Sequence, residues 1–225
     1  VTHLRPYTQP HLPIAVAAAQ SPSGMVLAGK HGAAVLSVSL TRAGSVVSNL
    51  RDFWKIAEET ASEHGNVMDR EEWRLVLHVH LAETRREAME QARHAAGSYQ
   101  REYFEETLGQ DSVSDGPVDK IIDAMVEKGA WCVGTPDDLI AAIERLDEDS
   151  GGFGGFLVQT IDWAPREKLL KSYELLARYV MPHFQGSVVS TAASNQWAYE
   201  HQETLMAGRT RALDKAKADW AGRPR

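Results

Sequence analysis

The sequence predicts an α/β fold in which a parallel sheet is covered by helices, and three observations predict it. Short apolar runs at 13–19, 33–38, 73–81 and 156–161 have the length and composition of strands buried on both faces. The segments between them carry apolar residues at helical spacing. The 225 residues are 43% hydrophobic and include six Trp, enough for a sizeable core and incompatible with disorder.

Each element has its own local reason. Residues 1–12 carry two prolines and no periodicity, so they read as an extended lead-in, and Pro13 opens the first strand. Gln20-Ser21-Pro22-Ser23-Gly24 is a turn of small residues, followed by a short helix from Met25 that Gly32 stops. Ala33–Val38 is the second strand, and Val47, Leu50, Phe53, Trp54 and Ile56 mark a helix from Ser45 to His64. Trp73–Leu81 is the third strand, and Glu83 opens a helical stretch reaching about Leu108, with Ala88, Ala92, Ala95 and Ala96 suited to close packing. Residues 109–117 read as a mobile loop and a candidate substrate lid. Val118–Lys128 is a helix, and Thr135-Pro136-Asp137-Asp138 starts another with a cap, a first-turn proline and an acid at N3. Phe156–Ile161 is the fourth strand, followed by a helix from Ala164 to Met181 and a polar tail, helical from Trp197 to Trp220. The order β-α-β-α-β-α(αα)-β-α fits a small open doubly wound sheet or a piece of a (β/α)₈ barrel, and periodicity does not separate them.

Charge and cysteine content narrow the function classes. Thirty-one acidic against 24 basic residues argue against binding nucleic acid by phosphate neutralisation. The lone Cys132 excludes an intrachain disulfide and fits a reducing, cytoplasmic setting. No apolar run approaches the roughly 20 residues of a membrane span, and the N-terminus lacks a signal-peptide core.

Four places hold chemistry. At Ala18-Ala19-Gln20-Ser21-Pro22-Ser23-Gly24, a serine-rich turn runs from a strand end into a helix, offering amides, hydroxyls and a helix dipole to a phosphate. The alternative is that Ser21 or Ser23 caps the helix. Gly151-Gly152-Phe153-Gly154-Gly155 precedes its strand, so it reads as a connection, not a nucleotide loop. His78 and His80 share one face of the third strand, with no acidic or thiolate partner to complete a metal set, so His80 is either packed or lines a pocket. Gln159, Thr160, Asp162 and Trp163 follow the fourth strand, where a barrel carries its active site, although Asp162 could instead cap the next helix.

Several segments together resemble the bacterial-luciferase-like flavin-dependent monooxygenases. Pro13–Ala18 with Ser21–Gly24 and Ala28-Gly29-Lys30-His31-Gly32 is similar to the middle of that family. Leu81-Ala82-Glu83-Thr84-Arg85-Arg86 resembles its strand-to-helix junction, Val133–Leu139 its GTP helix start, and Ser172–Phe184 its closing helix. Ile143–Leu146 through Gly154 looks most like the limonene-monooxygenase-like subgroup. The resemblance implies a TIM barrel, of which this chain would supply about the last four β/α units over residues 1–185; the polar tail at 186–225 lies outside it and reads as an appended helical segment suited to oligomerisation. It implies reduced FMN as cofactor, delivered by a separate flavin reductase, and oxygenation of a small, terpene-like molecule with O₂. On this resemblance the flavin phosphate meets Ser21, with Ala19, Gln20, Ser23 and Gly24 around it; the resemblance names no catalytic residue, and His80 and Gln159, from their places on the third and fourth strands, are the catalytic candidates. The family's ring-packing tryptophan falls near Ser39, a departure. A deazaflavin-dependent oxidoreductase on the same barrel and a non-catalytic flavin-binding subunit are the alternatives. The strands that would close the barrel are expected from an N-terminal half of a longer enzyme or from a second copy.

Overall fold

The computed structural model describes residues 7–9, 12–19, 21–38, 49–159, 161–186 and 189–222. Contacts divide the chain into two units, Val1–Val180 and Met181–Arg225. Among the described residues the first unit carries one parallel sheet: β1 (Ala15–Ala18), β2 (Ala34–Val38), β3 (Trp73–Leu81), β4 (Trp131–Gly134) and β5 (Gly155–Gln159). β3 is its centre. It pairs with β2 over Trp73–Val76, with β5 over Arg74–His78 and with β4 over His78–Leu81, always in parallel. β4 is a correction to the expected order. Its four residues lie between the helix-ending Gly129 and the cap of the next helix, too short a run to register as a strand.

Connecting helices are α1 (Pro22–His31), α2 (Leu50–Glu63), α3 (Arg85–Ser98), α4 (Val118–Glu127), α5 (Pro136–Ser150) and α6 (Arg166–Leu175). α1 starts at Pro22, three residues before the expected Met25, because a proline at N1 has its φ preset and no N–H to satisfy. Asn49 caps α2, its side chain accepting from the Asp52 N–H; the expected start at Ser45 lies outside the described residues. Thr84 caps α3 by accepting from Glu87 N–H, and Thr135 with Asp138 forms a capping box on α5. The single helix expected to about Leu108 is in fact two conformations, α3 and a π-helical segment at Tyr99–Thr107. A second π-helical segment, Leu176–Val180, follows α6.

Parallel register assigns side chains to faces, since paired residues point the same way. One face carries Val16 and Ala18 of β1, Val35 and Ser37 of β2, and Trp73, Leu75, Leu77, Val79 and Leu81 of β3. Helices α1, α2 and α5 cover it through Met25, Ala28, Phe53, Trp54, Leu139 and Ile143. Each fully buried large side chain contributes about 1.5–3 kcal/mol. Trp54 and Trp73 stack at 4.7 Å, and the Trp73 indole N–H donates to Ser37 Oγ at 2.8 Å, whereas the buried Trp54 Nε1 has no hydrogen-bond partner among the described residues.

Among the described residues, the opposite face is covered only at its C-terminal end. There α3 and α4 pack Ala88, Ala92, Ala96, Ile121 and Ile122 against Ala82, Trp131, Val133 and Trp163. Further down, Ala15, Ala17, Val38 and Leu157 of this face are exposed, and Leu36 and Val76 are half-buried.

At the other end of the sheet, Arg70 lies over the Trp54 ring at 5.3 Å and donates to the Ser150 and Gly152 carbonyls at 2.9 and 3.1 Å. This ties the glycine-rich segment to the start of β3. A side chain at Gly154 would collide with the Glu71 carbonyl, so the glycines serve close backbone approach in a connection, as their position before β5 suggests.

The second unit comprises α7 (Met181–Gln185), α8 (Val189–Glu200) and α9 (Gln202–Ala221). None of its described residues is buried, and Trp197, Tyr199, Leu205, Met206, Leu213 and Trp220 are exposed. No helix among the described residues is long and apolar enough to cross a membrane.

Candidate functional site

The C-terminal ends of β1, β3 and β5 gather the groups with chemical potential. After β1, Ser21 occupies the N-cap position of α1 in an extended conformation, yet its side chain makes no capping bond. Its Oγ lies 2.6 Å from Ser23 Oγ, and both serines are exposed. The Ser23 and Gly24 N–H groups have no intrahelical acceptor at this terminus. The turn therefore carries two exposed hydroxyls, two amides without an intrahelical acceptor and the positive end of a ten-residue helix. Gly24 holds it against the strand, since a Cβ there would stand 2.8 Å from Ala18 Cβ. Ala19 is exposed beside it, and Gln20 lies outside the described residues.

β3 supplies the second group. His78 is half-buried and its imidazole stacks on Trp163, with centroids 5.7 Å apart and planes 12° from parallel. Trp131 and Tyr99 stand at 6.1 and 6.2 Å. Tyr103 and Phe104 extend this aromatic wall along the π-helical segment. A tight turn, Trp163 N–H to Ile161 carbonyl at 2.7 Å, sets the indole just past β5. Burial pushes the His78 pKa down to about 4, so the ring is neutral at physiological pH. His78 Nε2 and Trp163 Nε1 are both buried with no hydrogen-bond partner.

His80, two residues on, is fully buried. Its Nε2 bonds Gln91 Oε1 at 2.9 Å, and Gln91 donates in turn to Glu87 at 2.8 Å. Burial lowers its pKa against the opposing pull of the Gln91 bond. Gln91 and Glu87 line a cleft of about 310 Å³ with Glu83, Lys168 and Lys171. Lys168 faces Glu87 at 3.6 Å and Lys171 faces Glu83 at 3.5 Å, so its charges are internally matched. The cleft stitches α6 to α3, and His80 itself does not line it. Gln159 is exposed on the open sheet face, in register with His78. Asp162 is exposed and does not cap α6, whose first turn follows Pro165; Thr160 and Ser39 lie outside the described residues.

The loop at 109–117 is pinned. Arg101 donates to the Ser114 and Gly116 carbonyls at 2.9 and 3.1 Å, and Glu105 accepts from the Val113 N–H at 3.0 Å while pairing with Arg101 at 3.3 Å. Burial pushes the Cys132 thiol up to about 12, so it is no nucleophile at neutral pH. Among the described residues no cluster of three or more His, Cys, Asp or Glu could hold a metal.

Sequence reasoning placed Trp163 at the strand end but missed its box, because Tyr99, Trp131 and Trp163 are far apart in sequence and come from three different elements. A tryptophan at or just beyond the end of a buried strand was the available signal.

Comparison with known proteins adds the family. The luciferase-like monooxygenase family model matches residues 1–152. The 4-hydroxyprotoasukamycin monooxygenase of Streptomyces nodosus subsp. asukaensis is 40% identical over 199 residues, covering 88% of this chain and 53% of that protein. Limonene 1,2-monooxygenase of Rhodococcus erythropolis is 41% identical over 187 residues, covering 83% of this chain and 47% of that protein. Among solved structures, the oxygenating constituent of 3,6-diketocamphane monooxygenase from the CAM plasmid of Pseudomonas putida, in complex with FMN, superposes with a TM-score of 0.57. It shares 25% identity over 76% of this chain and 49% of that one. The chain thus spans about half the length of the curated relatives it matches. With its parallel strands, its serine turn after β1 and these matches, the chain belongs to the luciferase-like monooxygenase family.

Proposed function

We propose that this chain forms the flavin-phosphate side and part of the substrate wall of a flavin-dependent monooxygenase that oxygenates a small, apolar organic molecule. One observation carries the reading: the N-terminus of α1 keeps its serine hydroxyls and amides free of capping duty, at a strand end, in a chain of this family. These groups fit a phosphomonoester, which needs several donors and a favourable dipole. Ser21 and Ser23 donate to its oxygens through their hydroxyls, and Ser23 and Gly24 through their amides. Bound reduced FMN would supply the electrons that activate O₂. The chain's own residues bind it, orient it and keep water away. Tyr99, Trp131 and Trp163 dry the space around His78 at the covered end of the sheet.

The (β/α)₈ barrel of the family is the architecture that best accounts for the open face. β1 pairs only β2 and β5 only β3 among the described residues, leaving an apolar face of Ala15, Ala17, Val38 and Leu157 without cover. β1, β2, β3 and β5 are read as successive barrel strands, with β4 an addition at the rim. Further β/α units, from the same polypeptide or another, close that face and complete the substrate pocket.

Titration of the chain with reduced FMN and with a reduced deazaflavin tests the cofactor. Ser21→Ala is expected to weaken FMN binding by about 1–3 kcal/mol, the contribution of a charge-assisted hydrogen bond. Unchanged affinity removes Ser21 from the site. Tighter binding of the deazaflavin assigns the chain to hydride transfer instead.

A further inference from the structure

Of the five buried side-chain nitrogens without a hydrogen-bond partner among the described residues, two, His78 Nε2 and Trp163 Nε1, belong to rings stacked on each other at the C-terminal end of the sheet. An indole N–H only donates, so its missing partner must be an acceptor. A neutral imidazole donates from Nε2 in its Nε2–H tautomer. The remaining walls, Tyr99 and Trp131, are aromatic rings. An anion placed against these aromatic walls would lose its hydration. A pure hydrocarbon would leave both donors unpaired, each at the cost of a buried unsatisfied group. A neutral oxygen with two lone pairs on an apolar ring-bearing body meets all these conditions.

We propose that His78 and Trp163 form the polar end of a substrate seat that selects apolar, ring-bearing molecules carrying one neutral carbonyl oxygen, which accepts from both nitrogens. The assignment of this seat to the substrate rests on the monooxygenase reading above. The ligand approaches along the sheet face that His78 shares with Val76, Leu157 and Gln159, all of them half-buried or exposed. Its ring packs against the aromatic walls. Tyr99, which shields the box, sits at the first position of a π-helical segment, where i→i+5 pairing is less regular and local shifts are easier than in an α-helix. Two donors on one carbonyl oxygen also polarise that carbonyl, so the seat would orient a ketone and make it more electrophilic. His78 thereby acts as a substrate-contacting residue, a role that His80, turned to Gln91, does not share.

Three probes of equal shape test the seat: acetophenone, α-methylstyrene and benzoate, which differ only in carrying a ketone, an alkene or a carboxylate. Each is titrated into the flavin-free chain while the indole N–H resonances are followed by NMR, Trp163 being assigned from its loss in Trp163→Phe. Acetophenone is expected to shift the Trp163 resonance saturably, with the other two binding about tenfold more weakly or worse and leaving it in place, tenfold being the share of one neutral hydrogen bond. His78→Phe keeps a ring in the stack, and it should bring acetophenone down toward the level of α-methylstyrene while leaving the alkene unchanged. Equal binding of the three probes, no saturable binding of any, or acetophenone binding indifferent to His78→Phe each overturns the proposal. The probe comparison needs no variant, so a poorly folded substitution does not obscure it. Flavin is absent throughout. Loss of ketone selectivity therefore removes the seat alone, whereas an unchanged flavin affinity in Ser21→Ala removes the flavin reading alone.

Discussion

A methyl group at residue 24 has nowhere to go, because it would meet both Ala18 Cβ at 2.8 Å and Ala18 Cα at 2.9 Å. Gly24→Ala must push the first turn of α1 off the end of β1, at a cost of about 1–3 kcal/mol for overpacking. Urea unfolding should show that loss, and FMN affinity should fall with it, because the displaced turn carries Ser21 and Ser23. A variant of unchanged stability would mean the contact is loose. His78 makes a second prediction at this scale. Burial lowers its pKa to about 4 from 6.5, so between those values the unfolded chain binds a proton that the folded chain does not. Stability is therefore lost as pH falls from 6.5 toward 4, and this group contributes no slope above 6.5; the whole gap corresponds to about 3 kcal/mol. His80 acts in the same direction, its pKa also lowered by burial. The test is the difference between the chain and His78→Phe. The variant's acid-side slope should be shallower, and parallel stability–pH curves would count against a buried, neutral His78.

The helix starts carry the most regular chemistry of the elements. Thr135→Ala removes a reciprocal cap in which Thr135 Oγ1 accepts from Asp138 N–H at 3.3 Å and Asp138 accepts from Thr135 N–H at 2.8 Å. The expected loss is about 1 kcal/mol, measured by denaturant midpoint at unchanged slope. That cap was legible in Thr135-Pro136-Asp137-Asp138, as were β1, β2, β3 and β5 in their apolar runs, because each is written in adjacent residues. β4 was not, since Trp131–Gly134 is four residues whose pairing depends on His78–Leu81, some fifty positions away. The π-helical turn at Tyr99–Thr107 shares its composition with an α-helix, and only the tertiary fold chooses between the two. The serine turn was visible as a candidate, but whether Ser21 capped α1 depended on a side-chain orientation that spacing does not encode. The aromatic box lay beyond reach for the same reason as β4: its members meet only when strands and helices pack.

At the scale of the whole molecule, one face of the sheet is a finished core and the other, among the described residues, is open below its C-terminal end. Exposed Ala15, Ala17, Val38 and Leu157 form a contiguous apolar surface of the kind that drives association. The chain by itself should therefore bind a hydrophobic dye and sediment as more than a monomer, and addition of complementing β/α units should suppress both. A monodisperse, dye-silent monomer would contradict the open-face reading. The central claim is that the serine turn after β1 is the seat of a flavin phosphate. Comparing FMN with riboflavin, which is the same ring system without the phosphate, tests it most directly. The account predicts that FMN binds more tightly, that the Ser23 and Gly24 amide resonances move with FMN alone, and that Ser21→Ala narrows the gap. Equal affinity for FMN and riboflavin, with those amides unmoved, would contradict it.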